Sequence, residues 1–229
     1  MFAKPGRGLY FPLVIIATFL TFVPLYPTNG YIVSLYSTVP LWGMLTILLY
    51  FLRDPERPLI PSQDLTSPAD GYIVGINESD EKVSILIELH VSCVHVQRTP
   101  LAGKVTKVEK VQGEFRRVYF IRKKLVGESD AIQKNSRTII ELESPEVHRT
   151  RIELIAGALA RRCIPYVKVG DQLAAGQRVS MILFGSLVRI EVYNLDYMPA
   201  VDIGDHVFGN RTIILKKREK LGLTPSQSK

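Results

Sequence analysis

Cysteine is nearly missing from this chain: Cys93 and Cys163 are the only two in 229 residues, and no metal-ligand spacing relates them. A disulfide-stapled scaffold and a cysteine-built metal centre are thereby excluded, and no metal site is expected. Both thiols read as small buried hydrophobes kept reduced. Cys93 has some chemical interest because it stands two residues before His95. Charge is missing over one long stretch, with no Asp, Glu, Lys or Arg from Leu9 to Leu52. The basic residues outside it are scattered and accompany no nucleic-acid motif, so a nucleic-acid partner is not expected.

The uncharged stretch accounts for a hydrophobic content of 46% and a positive mean hydropathy of +0.12. It divides at Tyr26-Pro27-Thr28-Asn29-Gly30, a run of turn formers that interrupts a helix. Two apolar segments result. The first, Leu9 to Leu25, is near the lower limit for a spanning helix, and the second, Tyr31 to Leu52, is long enough. The expectation is an N-terminal transmembrane or membrane-embedded helical hairpin occupying residues 1–58 with its basic flanks. Lys4 and Arg7 precede the first segment and Arg53 and Arg57 follow the second, which places both ends on the cytoplasmic side of a cell membrane. A cleavable signal peptide is the competing reading, and the apolar region is too long for it. The net charge of +7 would draw such a protein towards an anionic membrane surface.

Residues 59–229 are expected to form one mainly β core with minor helix. Val83–Leu89, Lys104–Val108, Thr138–Leu142, Val188–Val192 and Thr212–Leu215 are rich in β-branched residues and bounded by turn formers. Ile152–Arg162 is ambiguous between strand and short helix. A weak repeat relates Val167-Lys168-Val169-Gly170-Asp171-Gln172-Leu173 to Val201-Asp202-Ile203-Gly204-Asp205-His206-Val207. Each copy is read as a strand, a Gly-Asp turn and a second strand. With the phrases Asp70-Gly71-Tyr72-Ile73-Val74 and Gly103-Lys104-Val105 ahead of them, the pattern resembles the barrel-sandwich arrangement of lipoyl- and biotinyl-type domains, in fold alone.

The chemistry centres on Phe184-Gly185-Ser186. A Gly-Ser pair is usually only a turn, but Gly185 has the backbone freedom that lets the Ser186 hydroxyl reach the preceding carbonyl. Attack there gives an ester, and elimination followed by hydrolysis leaves a pyruvoyl group. A weak nucleophile such as serine needs a neighbouring base and a stabilised oxyanion for this.

Three segments in order, Ser67-Pro68-Ala69-Asp70-Gly71, then Val94-His95-Val96-Gln97-Arg98-Thr99-Pro100 with Gly103-Lys104-Val105, and Phe184-Gly185-Ser186, resemble the short form of the phosphatidylserine decarboxylase family, which includes archaeal archaetidylserine enzymes. The apolar hairpin ending in Arg53-Asp54-Pro55-Glu56-Arg57 agrees, and the resemblance covers nearly the whole chain. It implies self-cleavage between Gly185 and Ser186 into two chains that stay together. The second would begin with a pyruvoyl group made from Ser186, with no external cofactor. The substrate amine of a serine-headgroup phospholipid would form a Schiff base with that ketone, which acts as electron sink for decarboxylation. Asp70 matches the family's acidic residue supporting the base, and His95 matches the family histidine, a proton carrier near neutral pH. Arg98 stands where longer members have a second histidine; it cannot act as a base and is expected to bind the lipid phosphate or carboxylate. Arg161 and Arg162 are further headgroup candidates, of which a strand would direct only one inward. Self-association into a homo-oligomer is compatible with the sequence.

The division of acid and base roles between Asp70 and His95 stays open, as does the choice between phosphatidylserine and archaetidylserine, which share a headgroup. Other readings are a membrane-anchored barrel-sandwich adaptor or carrier module without catalysis, a pyruvoyl lyase for a soluble amino acid, and an inactive family member. The carrier would need a modifiable lysine at a hairpin tip. Lys82 is the nearest approach to one, and this reading explains neither Ser186 nor His95.

Overall fold

The computed structural model describes residues 12–19, 30–60, 62–116, 118, 130–158, 163–182 and 186–218. Gly185, Arg161 and Arg162 lie outside the described residues, as does most of the turn expected at Tyr26 to Gly30.

The expected strands form, and antiparallel sheet dominates. An eight-stranded sheet runs in the order β13-β2-β3-β11-β7-β6-β5-β9. It is built from β2 (Gly71–Glu78), β3 (Val83–Leu89), β5 (Gly103–Val111), β6 (Arg137–Ser144), β7 (His148–Ala156), β9 (Gln172–Leu173), β11 (Ser186–Val192) and β13 (His206–Val207). Two smaller sheets accompany it. One joins β4 (Val96–Arg98) and β8 (Cys163–Pro165) on either side of β10 (Arg178–Ile182). The other joins β1 (Leu65–Thr66) and β12 (Tyr197–Pro199) on either side of β14 (Ile213–Lys217). The ambiguous segment from Ile152 is strand as far as Ala156, where its β-branched and Leu residues pair with β6 and β11.

Strand periodicity sorts the two faces of the large sheet. Ile85, Ile87 and Leu89 of β3, Ile152 and Leu154 of β7, and Val188, Ile190 and Val192 of β11 enter the main core. Leu86, Ile155 and Leu187 lie on the other face, packed with Val118 and Ile132. That second face also carries ion pairs: Glu153 receives Arg137 at 3.0 Å and Arg189 at 2.8 Å. Ser186 opens β11 opposite Leu89 and Ala156, so its side chain shares the core-facing side with them.

The repeat is structural, in a form different from the expected pair of hairpins. Val167–Val169 and Val201–Ile203 are not strands. The aspartate after each glycine instead turns its carboxylate back onto the segment: Lys168 N donates to Asp171 Oδ2 at 2.8 Å and Asp202 N to Asp205 Oδ2 at 2.9 Å. Gly170 and Gly204 take φ of +96° and +105°, a region open to glycine. Each turn then docks on the sheet, Gly170 N to Val105 O and Gly204 N to Ile73 O, both at 2.8 Å. The next residues in each copy become β9 and β13, the two edges of the large sheet.

At the N-terminal side, α1 (residues 12–19) and α2 (Gly30–Phe51) are helical. A short α3 (Asp130–Lys134) lies between β5 and β6. Among the described residues no helix is long and apolar enough to cross a membrane, so the transmembrane form of the hairpin has no support here. The far end of α2 is amphipathic in its packing. Val39, Met44, Ile47 and Tyr50 are exposed, whereas Phe51 and Leu52 are buried against Val94, Val96 and Met181.

Candidate active site

Asp70 sits in the turn between β1 and β2, at 5% exposure. Ser67 shapes that turn by donating its hydroxyl to Ala69 O at 2.6 Å, and Arg98 N holds it from outside through Pro68 O at 2.8 Å. The Asp70 carboxylate is fully engaged. Arg57 grips it with both terminal guanidinium nitrogens, Nη1 on Oδ1 and Nη2 on Oδ2, the latter at 2.7 Å. Gly209 N donates to Oδ1 at 2.7 Å and Val94 N to Oδ2 at 3.4 Å. A forked charge-assisted pair of this kind fixes a carboxylate in orientation as well as in charge.

His95 lies just before β4 and is completely buried. Its Nδ1 is 2.9 Å from the Cys93 carbonyl oxygen. A carbonyl can only accept, so Nδ1 carries the proton and Nε2 presents its lone pair. That Nε2 has no hydrogen-bond partner among the described residues. Burial pushes the imidazole down to about pKa 4; the Cys93 carbonyl opposes the shift, the Arg53 charge adds to it and Asp70 opposes it. His95 is therefore a neutral base with its acceptor nitrogen available. Phe51, the last residue of α2, covers the ring at a centroid distance of 4.1 Å.

Ser186 is also completely buried, and its Oγ has no partner among the described residues. The chain links it to His95 by a short route: Ile182, the last residue of β10, donates its N–H to His95 O at 3.0 Å, and β11 begins at Ser186. The peptide bond between Gly185 and Ser186 thus lies in the connection from the small sheet to the large one. Buried polar atoms without partners are uncommon in folded proteins. Among the described residues the His95 ring nitrogen and the Ser186 hydroxyl both lack one.

The structure does not join Asp70 to His95 by a hydrogen bond, since Nδ1 is committed to Cys93 O; Asp70 reaches the imidazole through space. Arg98 points inward. Its guanidinium meets Asp54 Oδ1 at 3.0 Å, Pro55 O at 3.1 Å and Gly176 O at 3.2 Å, at 6% exposure. It holds the segment after α2 against the core, a role that competes with the expected one in headgroup binding. Cys93 is buried, and that burial raises its pKa, which keeps it a thiol at neutral pH. Among the described residues no cluster of His, Cys, Asp and Glu suits a metal ion. Sequence reasoning misses Phe51, Asp54, Arg57 and Arg178 as parts of the site. The signal for the charged ones is present in Arg53-Asp54-Pro55-Glu56-Arg57, whose alternating charges have more to do than flank a membrane segment.

The family model described as Phosphatidylserine decarboxylase matches residues 45–215. The chain belongs to the phosphatidylserine decarboxylase family. It is similar to the phosphatidylserine decarboxylase proenzyme of Symbiobacterium thermophilum, 36% identical over 187 residues that cover 75% of this chain and 80% of the relative. The corresponding proenzymes of Burkholderia ambifaria and Burkholderia vietnamiensis are 35% and 34% identical over 184 residues, covering 76% of this chain and 81% of each relative. The region shared with the family begins inside α2 and so includes Phe51, the segment Arg53–Arg57 after it, and the Asp70, His95 and Ser186 positions.

Proposed function

We propose that this chain is a proenzyme that cleaves itself between Gly185 and Ser186 and then decarboxylates the serine headgroup of phosphatidylserine, or of an archaeal lipid with the same headgroup. The observation that carries the reading is the pair of buried, unpartnered atoms, His95 Nε2 and Ser186 Oγ. His95 Nε2 takes the hydroxyl proton as Ser186 Oγ bonds to the Gly185 carbonyl carbon. The amide C–N bond breaks, and the proton passes to the freed Ser186 nitrogen. Loss of the Ser186 Cα proton then breaks the Cβ–O bond and leaves Gly185 as a carboxylate. Water replaces the nitrogen of the resulting dehydroalanine, releasing ammonia and leaving the pyruvoyl group. A positioned base contributes on the order of 10²–10⁴ to such a step.

The Ser186 position fits the group it would carry: a small side chain, fully buried, at the start of a central strand of the large sheet. The group supplies a conjugated ketone that takes up the electron pair left when carbon dioxide departs. For the chain's own residues, what remains is proton transfer and exclusion of water. Having taken a proton at Nε2, an imidazole held near pKa 4 returns it readily, which suits His95 to protonate the substrate carbon. Asp70, gripped by Arg57, supplies a fixed negative charge nearby. Arg161 and Arg162 remain the headgroup candidates.

Membrane attachment belongs to this proposal as an embedded form. Exposed Val39, Met44, Ile47 and Tyr50 on α2 and a net charge of +7 support a helix lying in an anionic membrane surface. The catalytic core would face the cytoplasm. The paired Gly-Asp turns at the two edges of the large sheet support the barrel-sandwich comparison for the core.

Intact-mass measurement tests the reading. Wild type should yield residues 1–185 and a second fragment lighter by one ammonia than a chain beginning with Ser186, whereas Ser186→Ala should stay whole. A wild-type chain that remains whole while releasing carbon dioxide from a serine-headgroup lipid would overturn it.

A further inference from the structure

The end of α2 and the segment after it reach both halves of the reaction centre. Phe51 stacks on His95, tilted 39°. Arg53 folds back over the Tyr50 ring at 3.9 Å and donates to Ser92 O, in the loop that carries Cys93 and His95. Asp54 is buried between Arg98 and Arg178, and Glu56 also pairs with Arg178 at 2.8 Å. Arg57 then closes on Asp70 and on Gly209 O, the latter at 2.7 Å. Tethering alone would need none of these contacts to be buried, yet the side chains of Arg57 and Asp70 are only 8% and 6% exposed.

We propose that Phe51 and Arg57 are positioning residues for self-cleavage, Phe51 fixing the His95 ring and excluding water from it, and Arg57 fixing the Asp70 carboxylate beside it. The end of the apolar helix is then part of the reaction centre. Phe51 presents only carbon to the imidazole, so the ring is held by shape and kept dry. Arg57 is the only side chain that hydrogen-bonds Asp70 among the described residues, the other partners being the backbone N–H groups of Val94 and Gly209. A lysine there keeps the charge but loses the fork. The charged and titratable groups around His95 are Arg53 from the end of α2, Asp70 from the β1–β2 turn and Cys93 from its own loop. None of them substitutes for the apolar wall that Phe51 provides.

This inference rests on the reading of His95 as the base, and the experiment separates the two. Full-length Phe51→Ala, Phe51→Leu, Arg57→Lys and Arg57→Gln are compared with wild type and His95→Ala. Conversion of one chain to two is followed on gels between about pH 5 and pH 8. Thermal unfolding is measured for each change on a Ser186→Ala background. With Phe51→Ala, water reaches the imidazole and its pKa returns from about 4 towards 6.5. Cleavage should then fall by roughly tenfold at pH 5 and much less at pH 8. Phe51→Leu, which restores an apolar wall, should recover the wild-type profile. Arg57→Gln and Arg57→Lys should slow cleavage by a factor that does not depend on pH, with Lys the milder. If His95→Ala cleaves normally, the reading of the base fails. If His95→Ala is blocked while Phe51→Ala keeps the wild-type rate and profile, or loses rate equally at every pH in step with its melting temperature, the role of Phe51 is overturned. A wild-type rate in Arg57→Gln overturns that of Arg57.

Discussion

Replacing Asp54 by Ala should cost more stability than any other single charge removal near α2, because two arginines depend on it and one is buried. Asp54 is 3% exposed, with Arg98 Nη2 at 3.0 Å and Arg178 Nε at 2.5 Å. Without the carboxylate, Arg98 keeps, among the described residues, only the Pro55 and Gly176 carbonyls as acceptors, and carbonyl dipoles do not neutralise a buried guanidinium. Breaking a buried pair from one side costs about 3–5 kcal/mol, since the surviving charge stays desolvated. A domain has only about 5–15 kcal/mol in total, so the loss is a large fraction of it. At this size it corresponds to a fall in Tm of roughly 10 °C. Urea and thermal unfolding on a Ser186→Ala background, where every molecule is a single chain, would measure it. Arg178→Gln is the internal comparison. The Arg178 side chain is 28% exposed, so its loss should cost about 1 kcal/mol. Asp54→Leu with Arg98→Met, which removes both buried charges, should recover much of the loss. An Asp54→Ala protein within about 1 kcal/mol of its parent would refute the reasoning, because Arg98 would then have found water or another acceptor.

Two further outcomes rest on packing. A chain starting at Arg53 loses Phe51 and Leu52, each at most 2% exposed. Side chains of this kind contribute about 2–5 kcal/mol each, so its urea midpoint should fall well below that of a chain starting at Leu45, and equal midpoints would show that the core does not need them. Gly71→Ala places a Cβ 2.3 Å from Glu88 O, so β2 must shift at the residue after Asp70. Unfolding should show a loss of about 1–3 kcal/mol and gels a slower cleavage; wild-type behaviour in both would mean that the backbone there yields freely.

The strands are legible in the sequence because their alternation survives in the residue types. Val83–Leu89 has the same bounds in the sequence pattern and in the structure, since its β-branched run is bracketed by Asp80-Glu81 and by the polar His90. The Gly-Asp turns are legible as turns but not as sheet edges. The short strand after each of these turns pairs with β5 or β2, about 70 to 130 residues earlier in the chain, and periodicity carries no information about that partner. Among the candidate site residues, Ser186 and His95 stand out in the sequence, because few residue types can act as nucleophile or base. The direction of Arg98 is not. An arginine inside a charged clasp and an arginine facing a lipid phosphate have the same letter and the same neighbours in sequence. Asp54, 44 residues away, is what draws the Arg98 guanidinium inward.

The two unpartnered atoms bear on why the precursor should react at all. A buried hydroxyl and a buried ring nitrogen left without hydrogen bonds cost on the order of 1–3 kcal/mol each, and the precursor carries both. The surrounding contacts, the bidentate grip on Asp70, the stack on His95 and the paired Asp54, supply the stability that keeps those atoms unsatisfied. Water could satisfy both atoms, but a hydrated imidazole would lose its low pKa and a hydrated hydroxyl would be held away from the carbonyl it must attack. The dryness of the site and the burial of α2's last turn are therefore one requirement. A precursor whose α2 separates from the core should be more hydrated at His95 and slower to cleave, even with Asp70, His95 and Ser186 all in place.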